Sequence, residues 1–542
     1  MDPLATISTR RTPQTEKADR RQVLDSAGGY VFELDDLARL RRFLTLGTDG
    51  ATYYTSAAEL TRDNAEVLFR LAETTHAAAV DVVAEISEGG RAPRQNPALF
   101  ALAVLASTGT EDERRYALEQ LSRVARIGTH LFLFARYVEQ FRGWGRGLRR
   151  AVGQWYLARN VDALAYQAVK YRQREGWSHR DLLRLAHPGT DEPSRRALFE
   201  WIARGSVDEK TPRLIEGYLK ASEGGADHAA LVREYGLSWE MLPDEALGER
   251  STWDALLDVG IPQTALMRQL PRLTRLGLLP AMGGRTAEVA ARLSDAERLR
   301  KARVHPVNVL VAQRTYALGR SARGEGVWTP TAKIVDALND AFYAAFGAVE
   351  PTGKRTMLAL DVSGSMAMTP ISNMPITPRE ASAALSLVTA AVEPDHMIVG
   401  FTSGQRNSGF YMNRARMDQI GAGLLPLSIS PRQRLDDAIR AVSDLEFGRT
   451  DCAAPMVYAL EKGLDVDTFV VYTDNETYHG NIHPHQALQQ YRRETGIDAR
   501  LVVVGMTATA FSIADPSDPG MLDVAGFDSA VPNLIGDFSR GL

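Results

Sequence analysis

Leu358-Ala-Leu-Asp361-Val-Ser363-Gly-Ser365-Met366 is the stretch that decides how this chain is read. The apolar run from Met357 to Leu360 has the length of a short buried strand. Asp361, Ser363 and Ser365 follow it at alternate positions. Alternate residues of an extended segment share one face, so a carboxylate and two hydroxyls can meet at one point. Hard oxygen donors of this kind suit a divalent cation such as Mg2+. The pattern alone is weak, because Asp and Ser are also ordinary turn residues. A plain exit from a strand into a loop is the competing reading.

Two later words strengthen the cation reading. Phe469-Val-Val-Tyr-Thr473-Asp474-Asn475 is a second apolar strand candidate that ends in an Asp. Between the two, Gly448-Arg449-Thr450-Asp451 offers a hydroxyl on a loop. In a parallel sheet the strand C-terminal ends share one rim, where ligands collect. Asp361, Ser363, Ser365, Thr450 and Asp474 are therefore predicted to form one cation site. The alternative for Asp474 is that it caps the next turn. Strand candidates Met357–Leu360, Met397–Phe401, Phe469–Tyr472 and Leu501–Val504 alternate with helical stretches Arg379–Val392, Leu435–Leu445, Pro455–Lys462 and Pro484–Thr495. That alternation predicts a parallel, doubly wound α/β sheet with right-handed crossovers. The tail, 515–542, is expected to pack back on it.

Upstream of Glu350-Pro351-Thr-Gly353 the texture is different. Strand-like alternation is scarce from Gly28 to about Phe346. Segments such as Pro97–Ser107, Glu111–Arg126, His130–Phe141, Leu148–Ala158, Asp162–Arg174 and Thr264–Leu276 carry apolar residues at helical spacing. Short amphipathic helices with short connections predict an α-solenoid of paired helices, although no clean sequence period is found. Residues 1–27 read as a loose N-terminal arm. The division expected is an arm over 1–27, a helical region over 28–350 and an α/β domain over 351–542.

Length and composition fit an ordered multi-domain protein: 542 residues, 44% hydrophobic and 24% charged. The single cysteine, Cys452, excludes an intramolecular disulfide and fits a reducing compartment. In its apolar surroundings it reads as a small core residue. Residues 1–21 lack the apolar region of a secretion signal, and no run is long enough to span a bilayer. A cytoplasmic protein without membrane association is expected. The net charge of −4 hides a polarity. Of 63 Lys+Arg and 67 Asp+Glu, residues 1–350 hold 48 and 45, and residues 351–542 hold 15 and 22. Arg123 to His187 holds 13 basic residues against four acidic ones, and Lys301 to Arg323 five against none. Local excess of this kind favours a polyanionic partner.

The basic stretch interleaves aromatics. Trp144-Gly-Arg146-Gly-Leu-Arg149-Arg150 is followed by Lys170-Tyr171-Arg172-Gln173-Arg174-Glu-Gly-Trp177-Ser-His179-Arg180, ending near Arg184 and His187. If one helix carries both, Lys170 and Arg174 share a face. A row of cations can neutralise backbone phosphates, and Tyr and Trp can stack on unpaired bases. The competing reading is a solvated helix face with Trp144, Tyr171 and Trp177 in the core. His305, in Lys301-Ala-Arg303-Val-His305-Pro306, reads as a packed histidine more readily than as a contact, and no partner at zinc spacing accompanies it.

The words carried from end to end resemble the Ro autoantigen family, RNA-binding proteins built from a TROVE module and a von Willebrand factor A-like domain. The resemblance rests on Gly28-Gly-Tyr-Val, Leu40-Arg-Arg-Phe-Leu44, Gly50-Ala-Thr-Tyr-Tyr54, Thr129-His-Leu-Phe132, Trp144-Gly-Arg-Gly-Leu-Arg149 and Gly176-Trp-Ser-His179 with Asp181-Leu-Leu-Arg-Leu185. It continues through Lys301-Ala-Arg-Val-His-Pro306, Val349-Glu-Pro-Thr-Gly-Lys354, Thr450-Asp-Cys-Ala453 and Thr473-Asp-Asn-Glu476. It implies a HEAT-like α-solenoid closed into a ring by the A-like domain, whose metal-ion-dependent adhesion site corresponds to the Asp361 cluster. It also implies Y RNA on the outer basic surface and single-stranded ends of misfolded non-coding RNA in the cavity. Quality control or processing of RNA with exoribonucleases such as polynucleotide phosphorylase follows. Lys170, Arg174 and His187 are carried to the outer RNA surface, with Arg172 and Arg180 beside them; Arg303 and His305 are assigned to the cavity. The sequence departs from the family at Arg449, where a second glycine is expected. Residues 1–27 and the tail beyond 515 match weakly.

Three functions compete. The first is a non-catalytic, monomeric RNA-binding scaffold. The second is a metal-dependent protein-binding scaffold of the adhesion type, in which RNA binding is secondary. The third, a metal-dependent nuclease, is disfavoured: paired-metal chemistry needs more carboxylates than two Asp supply. Walker-type and Gly-x-Ser-x-Gly motifs are also missing.

Overall fold

The computed structural model describes residues 11–47, 57–321, 326–368, 376–402, 423–443, 445 and 448–542. Ser56, which the pattern Ser56-Ala-Ala-Glu59 makes an N-cap candidate, lies outside them. The helical region runs from the helix Asp36–Leu46 to the helix Ala332–Ala344. Caps set many boundaries. Thr110 and Glu113 form a reciprocal capping box that starts Glu111–Glu119, and Asn160 accepts from two amides to start Val161–Lys170.

A repeat that the apolar pattern hides appears in the hydrogen bonds. Arg126 donates to the Ser87 carbonyl. Arg159 donates to the Ala125 carbonyl at 3.1 Å and the Arg126 carbonyl at 3.4 Å, 33 residues back. Arg195 donates to the carbonyls of Tyr156 and Arg159 at 2.8 Å, the latter 36 residues back. Arg292 does the same to Leu257 and Ile261 at 3.1 and 3.0 Å. Each guanidinium satisfies carbonyls left open where an earlier helix ends. The helices thus stack as pairs of roughly constant length, tied by arginines that face protein rather than ligand.

Among the described residues a small three-stranded sheet, a short hairpin and one large sheet complete the strand structure. β1 (Gln22–Leu24) pairs antiparallel with β2 (Tyr30–Glu33), and β3 (Gln173–Arg174) with β4 (Trp177–Ser178). The large sheet contains β5 (Thr356–Asp361), β6 (His396–Phe401), β7 (Leu424–Pro426), β8 (Thr468–Thr473) and β9 (Arg500–Gly505). β10 (Phe511–Ser512) leaves it to pair with β2, and β11 (Met521–Ala525) rejoins it. The order is β11-β9-β8-β5-β6-β7, parallel except for β6 with β7. The four predicted strands are its centre, and the two edge strands are additional to them. β7 ends on Pro426, which an edge position tolerates. Alternation along β5 sends Leu358 and Leu360 into a core continuous with the helical region, and Met357 and Ala359 into a second core on the other face.

The N-terminal stretch needs correction. Over 11–33 it is not a loose arm but a strap bound to the sheet domain. β2 extends to β10, Arg21 pairs with Asp515 at 2.9 Å, and the His483 ring bonds the Glu16 carbonyl at 2.8 Å. Its polar composition reads as solvent-exposed because its partners lie more than 400 residues away.

Both ends of the helical series meet the sheet domain. Arg42, 1% exposed, pairs with Asp523 at 2.5 Å and donates to the Phe511 carbonyl. At the other end Asn339 accepts from the Leu435 amide at 3.0 Å, and Arg314 pairs with Glu380. The two ends also meet each other: Asn308 donates to the Pro93 carbonyl at 3.3 Å, and His305 bonds the Arg91 carbonyl at 3.1 Å. Arg91 in turn pairs with Asp528 of the sheet domain.

Candidate cation site and nucleic-acid surface

The cation candidates gather at the C-terminal rim of β5 and β8. Asp361 is fully buried with both oxygens engaged. One accepts from the Ser363 amide at 2.9 Å, the other from the Thr473 hydroxyl at 2.8 Å. The Ser363 and Ser365 hydroxyls lie 3.1 Å apart. Asp474, at the end of β8, is 3% exposed, and its carboxylate accepts from the Glu476 amide at 3.1 Å. Thr450 is buried, and its carbonyl accepts from the His479 amide at 3.1 Å. Two residues on, the Cys452 thiol sits 3.5 Å from the Thr473 hydroxyl, so this loop lies against the Asp361 cluster. Cys452 itself is buried, as its apolar setting predicts.

The electrostatics of the rim favour an added positive charge. Burial pushes the Asp361 and Asp474 carboxyls upward, and for Asp474 the charge of Asp361 adds to it. Glu476 is pushed to about 9 by burial first, then by Asp474 and Asp25, and one of its oxygens is buried without a hydrogen-bond partner among the described residues. Arg379, 2% exposed, offsets Asp361 in part while donating to the carbonyls of Val362, Ser363 and Leu445. The two buried carboxylates with the Ser363 and Ser365 hydroxyls make a hard-oxygen donor set, with Thr450 on the adjoining loop, and a divalent cation would balance its charge, so the residues fit Mg2+. Only two of the candidate donors are carboxylates, and no group of three or more His, Cys, Asp or Glu placed to hold a metal ion occurs among the described residues. Arg449 in place of glycine does not disturb the loop. Its backbone is not left-handed, and its carbonyl accepts from the Thr402 hydroxyl at 2.7 Å.

The RNA candidates are rearranged. The predicted helix Asp162–Arg174 stops at Lys170, where Tyr171 leaves helical geometry with ψ 50°, and further on Glu175 and Gly176 both take positive φ, 55° and 80°. That pair builds the tight turn of the β3–β4 hairpin, with Arg174 opposite Trp177. Lys170 and Arg174 therefore do not share a helix face. Lys170 is largely buried against Tyr166 and Tyr171 and paired with Glu240 at 3.1 Å. Arg172 is exposed and donates to the Tyr218 hydroxyl at 2.6 Å. Arg174, Arg180 and His187 are exposed, and His187 sits in a left-handed helix cap. Arg303 is exposed beside Gly90. His305 is buried; its ring bonds the Phe527 carbonyl at 2.8 Å, and burial holds it near 4. It is a structural pin between the helical region and the sheet domain, not an RNA contact. Trp144 and Trp177 pack against each other with ring centres 5.3 Å apart.

Exposed, unpaired arginines cluster on the flank. Arg146, Arg149, Arg150, Arg174, Arg180 and Arg184 are exposed and hold no ion pair among the described residues. Elsewhere in the helical region some arginines are neutralised, as Arg213 by Glu234 and Arg285 by Asp254 and Asp258, while others, such as Arg196, Arg250 and Arg268, are exposed without an ion pair among the described residues. Sequence reasoning misses Gln14, Asp25 and Arg379 altogether. Only the Gly28-Gly29 pair near Asp25 hints that the strap approaches something closely.

A mixed sheet with carboxylates and hydroxyls at its parallel rim, fused to stacked helical pairs, defines a von Willebrand factor A-type domain on an α-helical module. The family model described as the Ro60 vWA domain matches residues 355–539, and that of the TROVE domain matches 23–213 and 234–315. The RNA-binding protein RO60 of Deinococcus radiodurans is 42% identical over 546 residues, covering 99% of both chains. The RNA-binding protein RO60 of Caenorhabditis elegans is 36% identical over 615 residues, covering 98% of this chain and 92% of that one. The crystal structure of the Deinococcus radiodurans RO (RSR) protein superposes with a TM-score of 0.68, covering 94% of this chain and all of that one. The chain belongs to the Ro60 family. Among the described residues no helix is long and apolar enough to cross a membrane.

Proposed function

We propose that this protein is a non-catalytic RNA-binding scaffold. Its helical region closes into a ring, Y RNA binds the exposed arginine flank, and single-stranded ends of misfolded non-coding RNA enter the cavity. The observation that carries RNA binding is the run of exposed, unneutralised arginines from Arg146 to Arg184. Cations without carboxylate partners keep their full attraction for phosphates and release counterions on binding. Ring closure is supported by the direct contacts of Pro93 with Asn308 and Arg91 with His305. The RNA-binding names of the two relatives support the same class. Filter binding of a structured RNA across a salt series tests it. Affinity falling steeply with salt is expected, and salt-independent or absent binding contradicts it.

The buried carboxylate pair favours a second, compatible role. Asp361, Ser363, Ser365, Thr450 and Asp474 would hold Mg2+, which when bound supplies a coordination position for an acidic group of a protein partner. An exoribonuclease such as polynucleotide phosphorylase is the partner to test, by co-purification with and without Mg2+. The protein works as a cytoplasmic monomer in this reading, with residues 28–350 serving RNA and 351–542 serving the cation.

A further inference from the structure

We propose that the N-terminal strap is a working part of the cation site: Gln14 and Asp25 are positioning residues for the two loops that carry Thr450 and Asp474. The proposal rests on the cation reading above. Gln14 is fully buried. Its amide nitrogen donates to the Asp451 carboxylate at 2.8 Å and the Ile482 carbonyl at 2.9 Å. Its amide oxygen accepts from the Thr477 hydroxyl at 2.5 Å. Asp451 adjoins Thr450, and Thr477 follows Asp474 by three residues, so one side chain spans both loops. The Thr477 hydroxyl also accepts from the Cys452 amide at 3.1 Å, which closes the connection.

Asp25 secures the second loop from beneath. Its carboxylate accepts from the Thr477 amide at 2.9 Å and, on its own side, from Gly29 at 2.7 Å and Ala27 at 3.0 Å. Ala27 donates in turn to Glu476 at 3.0 Å. The approach is so close that a Cβ on Gly29 would fall 1.7 Å from the Thr477 carbonyl oxygen. Only glycine permits it. The strap thus supplies hydrogen bonds to residues flanking two of the candidate ligands. Such outer partners fix ligand orientation, and losing one costs about 10- to 100-fold in metal affinity. The strap also runs through β2 directly into the first helix, Asp36–Leu46, so the cation site is built in series with the start of the helical region.

The test is calorimetric titration of the full-length protein with Mg2+ and, separately, Mn2+, alongside thermal unfolding of each variant. Gln14→Ala and Asp25→Ala should bind either ion about 10- to 100-fold more weakly. Asp25→Asn, which keeps an acceptor for the Thr477 amide, should recover part of the loss. Gln14→Glu preserves shape but loses the donor to Asp451, and serves should Gln14→Ala fail to fold. Arg21→Ala loosens the strap at Asp515, away from both loops, and should keep wild-type affinity despite a lower Tm. Wild-type affinity in folded Gln14 and Asp25 variants overturns the proposal, as does an equal loss in Arg21→Ala. No binding by the wild type, with Asp361→Ala indistinguishable from it, overturns instead the cation reading beneath.

Discussion

The arginine flank and the Asp361 rim hold charge in opposite ways. On the flank, like charges stand in solvent, where mutual repulsion is screened and each side chain is available. At the rim, like charges are buried together, where their repulsion and desolvation can be relieved only by protons or a cation. The same lack of full neutralisation therefore means different things. Outside it marks a surface for a diffuse polyanion; inside it marks a socket for a small ion.

The sharpest way to break this comparison is Asp361→Ala. Metal affinity should fall by more than about 100-fold, as a direct donor is lost rather than an outer partner. RNA affinity should stay within about 2-fold, because the flank is untouched. Titration calorimetry and filter binding on one preparation check both halves. Next in size is the seam. Arg42→Ala leaves Asp523 buried and uncompensated and should cost about 3–5 kcal/mol, read as a shift of the denaturant midpoint.

On the flank, the paired substitution Arg174→Ala with Arg180→Ala should reduce the slope of log affinity against log salt by about one to two, roughly one for each phosphate no longer neutralised. An unchanged slope removes these arginines from the interface. Acid stability separates buried from exposed charge in another way. Burial holds His179, His305 and His485 each near 4 in the folded protein. The unfolded chain takes up these protons near about 6.5. Between those values the unfolded state binds more protons, so stability falls as pH drops from about 6.5 to 4, by about 1.4 kcal/mol per pH unit for each histidine at most. Urea midpoints at about pH 7.5 and pH 5, on either side of the histidine range, measure it. The smallest effect is expected for Arg449→Gly, whose backbone needs no glycine: a change in Mg2+ affinity of less than about 3-fold.

What is legible in the sequence follows the range of the interactions. Central strands are readable because burial on both faces leaves an apolar run, as in β5 and β8. Pro484–Thr495 is readable to the residue, since Pro at its start and Gly496 after it are local signals. The edge strands β7 and β11 carry no such run. A helix through Arg174 is the wrong expectation because Glu175-Gly176 is a two-residue turn hidden among basic residues. The repeat is invisible because it lies in arginine-to-carbonyl bonds, which many spacings of apolar residues accommodate. The strap escapes for the most general reason: Gln14 and Asp25 find their partners at Asp451 and Thr477, and no local pattern registers a pairing across the length of the chain. Of the site, the Asp361 word and Asp474 are legible as candidates, while the residues that brace them are not.

The central claim is that RNA lies along the exposed arginines of the helical region. Ultraviolet crosslinking of the purified protein–RNA complex, with mass spectrometry of the adducts, tests it most directly. The account predicts crosslinked peptides concentrated between Arg142 and His187; adducts confined to the sheet domain would contradict it.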